Sequence, residues 1–157
     1  MSPSRQTAKQ KKVIGWREWL CMPDLHIDRI KAKIDTGART SVLHALDIKR
    51  FERDGVQMVR FRVHPLQRNT SETSMAEAVV QDEREVRSSN GQVQLRLVIR
   101  TRVEMGEDSW PIDLTLTNRD VMGFRMLLGR EALRGRFLID VGRSFLAGQL
   151  PEPWDRP

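Results

Sequence analysis

The sequence predicts an all-β fold, closed or sandwiched, and three observations carry that expectation. Short runs of alternating apolar and polar residues recur along the chain: Ile30, Ala32 and Ile34; Val59, Phe61 and Val63; Val93, Leu95, Leu97 and Ile99; Ile112, Leu114 and Leu116. Alternation with period two marks a strand with one buried face. Turn signals separate the runs, and Asn90-Gly91 between two extended segments is a strong hairpin signal. The chain has 157 residues, 39% hydrophobic and 31% charged, which suits one domain with a substantial core.

Residues 1–12 are polar and aperiodic and read as a disordered basic tail. Val13 to Leu20 reads as a first strand anchored by Trp16 and Trp19, and Pro23-Asp24 turns the chain. His26 to Ile34 is a second strand that ends at Asp35. Ser41 to Ile48 is apolar enough for a further strand or a short helix. Arg53-Asp54-Gly55 is a hairpin turn leading into the Val59–Val63 strand, which Pro65 ends. Residues 66–78 read as an exposed polar loop. Glu83–Arg87 and Gln92–Arg100 form a long hairpin tipped by Ser88-Ser89-Asn90-Gly91, with a turn at Glu104–Ser109 and a strand around Ile112–Thr117. Asn118-Arg119-Asp120 turns the chain again. Met126-Leu127-Leu128 is a short apolar strand that enters Gly129-Arg130-Glu131-Ala132-Leu133, a segment of helix formers. Phe137–Val141 is the last core strand. The domain is expected to span 13–146, with 147–157 an extended proline-rich tail.

The formal charge is +6, but Arg5, Lys9, Lys11 and Lys12 supply +4 of it before residue 13. The high pI is therefore mostly a tail effect. One cysteine, Cys21, excludes an intrachain disulfide. No apolar run approaches the ~20 residues of a membrane helix, and no hydrophobic segment follows the basic N-terminus as in a secretory signal. The expected location is the cytoplasm, with no membrane partner. His26, His44 and His64 are followed by Ile, Ala and Pro, so none opens a His-Glu-x-x-His zinc motif, and Cys21 with a histidine makes no zinc site. No Gly-Lys pair occurs for a phosphate-binding loop. The reading is therefore of no metal and no cofactor.

The chemistry concentrates in Lys31-Ala-Lys-Ile-Asp35-Thr36-Gly37-Ala38-Arg39-Thr40-Ser41. A strand runs into a small polar turn that carries one acid. Gly37 is expected to supply a backbone conformation that a Cβ would resist, and Thr36 to hydrogen-bond within the turn. A carboxylate at the end of a buried strand must be paired, hydrogen-bonded or neutralised. Asp35 is either a turn residue or cap, or the acid of a catalytic loop.

Asp35-Thr36-Gly37-Ala38 resembles the catalytic loop of aspartic peptidases. Catalytic loop, hairpin tip at 88–91, strand Ile112–Thr117 and Leu127-Leu128-Gly129-Arg130 follow in the order of the retropepsins, the half-length enzymes of that class. Together with Gly15-Trp16-Arg17-Glu18-Trp19, these segments are similar to a bacterial family described as ATP-dependent zinc proteases with a retropepsin-like fold. The likeness covers roughly residues 13–146. It implies a closed β-barrel with a flap hairpin and one short C-terminal helix. Asp35 and Gly129 stand 94 positions apart, more than in compact viral enzymes, and Arg39 replaces an acid common there.

The resemblance implies an aspartic endopeptidase with Asp35 as catalytic acid and base. Thr36 would brace two loops together, and Gly37 and Ala38 would leave room for substrate backbone. Ser88, Ser89, Asn90 and Gly91 would close over the substrate, and Gly129 and Arg130 would pack beneath the loop. Arg39 is the candidate to pair with an acidic substrate side chain. The chain has no second Asp-Thr-Gly or Asp-Ser-Gly, so the second carboxyl of the mechanism is expected from a homodimer mate. Relatives of the family occur beside a ligase that adds glutamates to a ribosomal protein, which implies an acidic or glutamate-rich tail as substrate. The alternative from a different class is a non-catalytic β-barrel that binds RNA or a ribosomal partner through its basic surface, with affinity that falls steeply with salt.

Overall fold

The computed structural model describes residues 11–66, 72–87, 90–121 and 123–148. Twelve strands follow in order: β1 (Lys12–Gly15), β2 (Arg17–Met22), β3 (Ile27–Asp35), β4 (Ser41–His44), β5 (Leu46–Arg53), β6 (Val56–Val63), β7 (Ser74–Val79), β8 (Asp82–Arg87), β9 (Val93–Met105), β10 (Asp108–Thr117), β11 (Met126–Gly129) and β12 (Phe137–Asp140). One four-residue helix, α1 (Arg130–Leu133), follows β11, and a 3-10 turn, Pro23–Leu25, separates β2 from β3.

Six strands close a barrel. The order is β10-β4-β11-β3-β2-β9, and β9 pairs back onto β10 to complete the circuit. The expected all-β barrel with one short helix is therefore the observed one. Alternation decides what fills it: Ile30, Ala32 and Ile34 of β3, Leu43 of β4, Ile99 and Val103 of β9, Leu114 of β10, and Met126 and Leu128 of β11 all join one buried cluster. A separate sheet, β5-β6-β7, adds Val59, Phe61, Val63 and Ala76 to the same core. β1 and β12 pair in parallel beside the barrel. Trp110 holds α1 against the barrel, its Nε1 donating to the Ala132 carbonyl at 3.1 Å while its ring lies 5.4 Å from that of Phe137. Among the described residues, no helix is long and apolar enough to cross a membrane.

Several boundaries differ from the sequence reading. The first strand breaks at Trp16, whose backbone serves other segments: its N–H donates to the Arg143 carbonyl and its carbonyl accepts from Ile34. Ser41–Ile48 divides into β4 and the start of β5, because Ala45 turns aside to donate to the Thr117 carbonyl. Residues 66–78 are not all loop, since β7 pairs with β6 from Ser74 to Val79. Its buried residue is Ala76, too weak an apolar signal to stand out. The turn expected over 104–109 shrinks to two residues between Met105 and Asp108, with Gly106 at φ +59°. Contacts also reach one residue past each expected domain limit: Lys12 pairs with Phe137, and the Ala147 N–H donates to Glu18.

Candidate active site at the end of strand β3

Asp35 is placed by three strands. β11 lies between β3 and β4, parallel to the first and antiparallel to the second. The register sets Gly129 beside Asp35, Leu127 beside Lys33 and Val42 beside Leu127. Since Ile34 points into the core, Asp35 and Lys33 face outward. Chain direction reverses within the short segment between β3 and β4, which leaves Thr36 and Gly37 exposed and Asp35 half-buried.

The turn binds its own acid. Asp35 Oδ1 accepts from the Gly37 N–H at 3.1 Å and the Ala38 N–H at 3.3 Å. Two backbone donors on one oxygen fix the orientation of the carboxylate. Gly37 is not in the left-handed region, contrary to the conformational role expected of it. Its need is for space: a Cβ there would stand 3.3 Å from Asp35 Oδ1, in the path of the turn's hydrogen bonds.

Beneath the loop, Gly129 does what no other residue could. A Cβ at 129 would lie 2.6 Å from the carbonyl carbon and oxygen of Thr40. That close approach lets the Gly129 N–H donate to the buried Ser41 Oγ at 3.0 Å, the Arg130 N–H to the Ala38 carbonyl at 2.8 Å, and the Glu131 N–H to the Arg39 carbonyl at 3.1 Å. The Arg130 guanidinium reaches the Thr36 and Gly37 carbonyls at 3.4 Å each. The carbonyls of residues 36–39 are therefore held from below by β11 and α1. Arg39 Nε donates to Glu131 Oε1 at 2.6 Å, and this hydrogen bond holds the Glu131 carboxyl below the usual carboxylate range. The Arg39 side chain is nonetheless 75% exposed.

Of the flap residues, Ser88 and Ser89 lie outside the described residues. Asn90 Oδ1 accepts from the Gln92 N–H at 3.3 Å, and Gly91 sits at φ +85°. The arm is tied to the end of β10 and the turn after it: Gln94 Oε1 accepts from Thr117 Oγ1 at 3.0 Å and from Arg96 Nε at 2.9 Å, and Arg119 donates to Gln92 Oε1. The structure thus gathers Asp35, Thr36, Gly37, Ala38, Arg39, Gly129 and Arg130 in one place and leaves Asn90 and Gly91 on a separate hairpin.

Three features of the neighbourhood escaped the sequence reading. Ser41 is the buried acceptor under Gly129. Glu18, 1% exposed, accepts from the Gly15, Leu146 and Ala147 N–H groups and fastens the C-terminal segment to β2. The outward face of β11 and β4 carries Leu127 and Val42, which with Val121 form a small buried cluster apart from the barrel core. Ser41 and Glu18 both stood within segments singled out in the sequence, but nothing local marked either as buried. Among the described residues, no three His, Cys, Asp or Glu side chains stand together as a metal site would require.

The family model for the RimB-like retropepsin-like aspartic endopeptidases matches residues 13–149. The chain belongs to this family. The RimB-like match reaches from β1 past the Glu18 clamp, so the clamp and the loop are parts of one unit. The chain is 48% identical over 141 residues to a probable alpha-L-glutamate ligase of Parasynechococcus marenigrum, and 45% identical over 139 residues to one of Shewanella halifaxensis. These alignments cover 90% and 88% of this chain but 30% of each relative, so the chain spans less than a third of their length. A Legionella pneumophila protein of unknown function has the same fold, with a TM-score of 0.73 and 24% identity over 88% of this chain and 99% of the other.

Proposed function

We propose that this RimB-like chain hydrolyses peptide bonds as a homodimer, with water activated between two Asp35 carboxyls across a two-fold axis. The observation that carries the reading is the Asp35 loop: held from below by Gly129, Arg130 and α1, and exposed on its upper side at Thr36 and Gly37. One carboxyl cannot both take a proton from water and give one to the substrate carbonyl. Two side by side cannot both ionise cheaply, so they share a proton and divide those roles. Thr36 braces the two loops, and Gly37 and Ala38 admit the substrate backbone. The hairpin at Ser88, Ser89, Asn90 and Gly91 excludes water once substrate is bound.

The substrate is an acidic or glutamate-rich protein tail. Support comes from the relatives, in which the matching segment belongs to a single polypeptide named as a glutamate ligase. A ligase that builds such tails is the natural partner of an enzyme that trims them, and a ribosomal protein bearing a tail is a candidate substrate. The reaction proceeds in the cytoplasm. The competing picture, a barrel that only binds RNA, predicts salt-sensitive RNA affinity and no cleavage.

Asp35→Asn decides between them. The variant should fold and dimerise as the parent does and lose cleavage of an oligoglutamate-tagged peptide by at least about a thousandfold, the scale of loss when a member of a catalytic unit is removed. Full activity in the variant would sink the peptidase reading.

A further inference from the structure

The backbone that carries Asp35 is held on two flanks. On one, β11 sets Gly129 beside Asp35 and supports the loop from below. On the other, the N–H of Ile34, one residue before Asp35, donates to the Trp16 carbonyl at 2.8 Å. Trp16 lies between β1 and β2 and belongs to neither strand. Its carbonyl is therefore only as steady as the contacts that hold the residue itself.

Those contacts converge on Arg17. The Trp16 N–H donates to the Arg143 carbonyl at 2.9 Å, which brings the C-terminal segment alongside. Arg17 then fastens that segment three times. Its Nε donates to Ser144 Oγ at 3.0 Å, and its carbonyl accepts from the Phe145 N–H at 3.0 Å. Its guanidinium lies over two rings, 4.8 Å from the centroid of Trp16 and 5.0 Å from that of Phe145, within the range at which a cation is attracted to an aromatic face. Phe145 shows how demanding the packing is. Its φ is +57°, in the left-handed region, where a bulky residue is strained and persists only if its surroundings over-determine it. The surroundings here are Arg17 and the Trp19 ring, stacked at 6.0 Å. The Phe145 ring is 38% exposed, so these contacts rather than deep burial hold it. Trp16 also meets Phe124 edge-on at 5.9 Å, in the segment that enters β11.

We infer that Arg17 is a positioning residue for Asp35. By clamping Phe145 and Trp16 it fixes the carbonyl that holds Ile34, and so the place at which the Asp35 carboxyl meets its counterpart. This rests on the two-carboxyl reading of the site. Arg17 touches neither substrate nor the reacting atoms. Its effect travels through one aromatic contact and one backbone hydrogen bond to the strand that ends in the acid. A reacting group misplaced by about 1 Å loses rate even when the residues that hold substrate are intact.

The test compares the full-length parent with Arg17→Gln and Arg17→Lys, and with Val59→Ala, a buried residue of β6 that controls for lost stability alone. Arg17→Gln should lower kcat on an oligoglutamate-tagged peptide roughly tenfold with KM within about twofold, the pattern of a lost transition-state contribution. The two limbs of its pH–rate profile should draw together, because carboxyls set further apart share a proton less. Arg17→Lys keeps a cation on the rings without the Ser144 bond and should fall between. Val59→Ala should move neither kcat nor the limbs while it is folded. Independently of cleavage, the Ile34 amide should exchange roughly tenfold faster in Arg17→Gln while protection elsewhere in β3 is unchanged. An unchanged Ile34 exchange rate, in a variant whose circular dichroism matches the parent, overturns the assignment. So does an unchanged kcat in a protein that cleaves the peptide, or an equal loss in Val59→Ala. If the parent cleaves nothing, the peptidase reading falls, and Ile34 exchange alone decides whether Arg17 steadies the strand of Asp35.

Discussion

At the scale of single residues, the buried acid with the most hydrogen bonds is not the catalytic candidate. Among the described residues, no ion pair reaches Glu18. Its carboxylate is satisfied by three backbone donors, Gly15 at 2.6 Å, Leu146 at 2.9 Å and Ala147 at 3.0 Å. Gly15 belongs to the same device, since a Cβ there would fall 2.3 Å from the Arg143 carbonyl oxygen. Glu18→Ala would strand three N–H groups and open a space, and each buried unsatisfied donor costs ~1–3 kcal/mol. We expect about 3 kcal/mol of lost stability, seen as a lower urea midpoint with an unchanged slope. A loss below about 0.5 kcal/mol would mean that water replaces the carboxylate without penalty. Asp35 and Gly129 were legible in the sequence because an acid and a glycine at strand ends stand out from the apolar alternation. Glu18 was not, because a charged residue between Arg17 and Trp19 looks like the solvent face of a strand. Only the return of residues 143–147 to β2 puts it inside.

At the scale of elements, alternation and turn chemistry located most strands, and the failures share a cause. β7 is a strand because β6 offers it an edge, not because its own residues insist on it. The break at Trp16 arises from a backbone bridge between β3 and the C-terminal segment, which no local pattern encodes. The flap hairpin was legible from Asn90-Gly91, but its attachment was not. Val93 and Leu95 share a face with Ile99 yet are 46% and 62% exposed, because the arm runs past the end of the barrel. What restrains it is polar: Thr117, Gln94 and Arg96 in a chain of hydrogen bonds, and Arg119 on Gln92. Gln94→Ala removes the shared acceptor. Amides of β8 should then exchange roughly fivefold faster, the equivalent of about 1 kcal/mol, while protection in β3 and β11 is unchanged. Equal exchange in β8 would show that backbone pairing with β9 alone sets the arm's opening.

At the scale of the whole molecule, the barrel carries Asp35 at the end of β3, and the proposed chemistry depends on how many chains meet there. Closure of β9 onto β10 fixes the ends of β3, β4 and β11 relative to each other, so Asp35 is positioned before any partner arrives. The sequence has no second Asp-Thr-Gly or Asp-Ser-Gly, and on the proposed reading a two-fold axis through the exposed Thr36 and Gly37 supplies an identical carboxyl. This makes the activity of mixed populations diagnostic. Parent and Asp35→Asn chains, combined in equal amounts and allowed to exchange subunits, should retain about one quarter of the activity of the same total amount of parent, because only parent–parent pairs carry two carboxyls. Chains that act alone, each through its own Asp35, would retain about one half. The two values lie far enough apart for a peptide-cleavage assay to separate, and subunit exchange can be followed independently by native mass spectrometry of isotope-labelled chains. A result at one half, with exchange complete, would move the catalytic centre from the axis to the single barrel and leave Thr36 without a loop to brace.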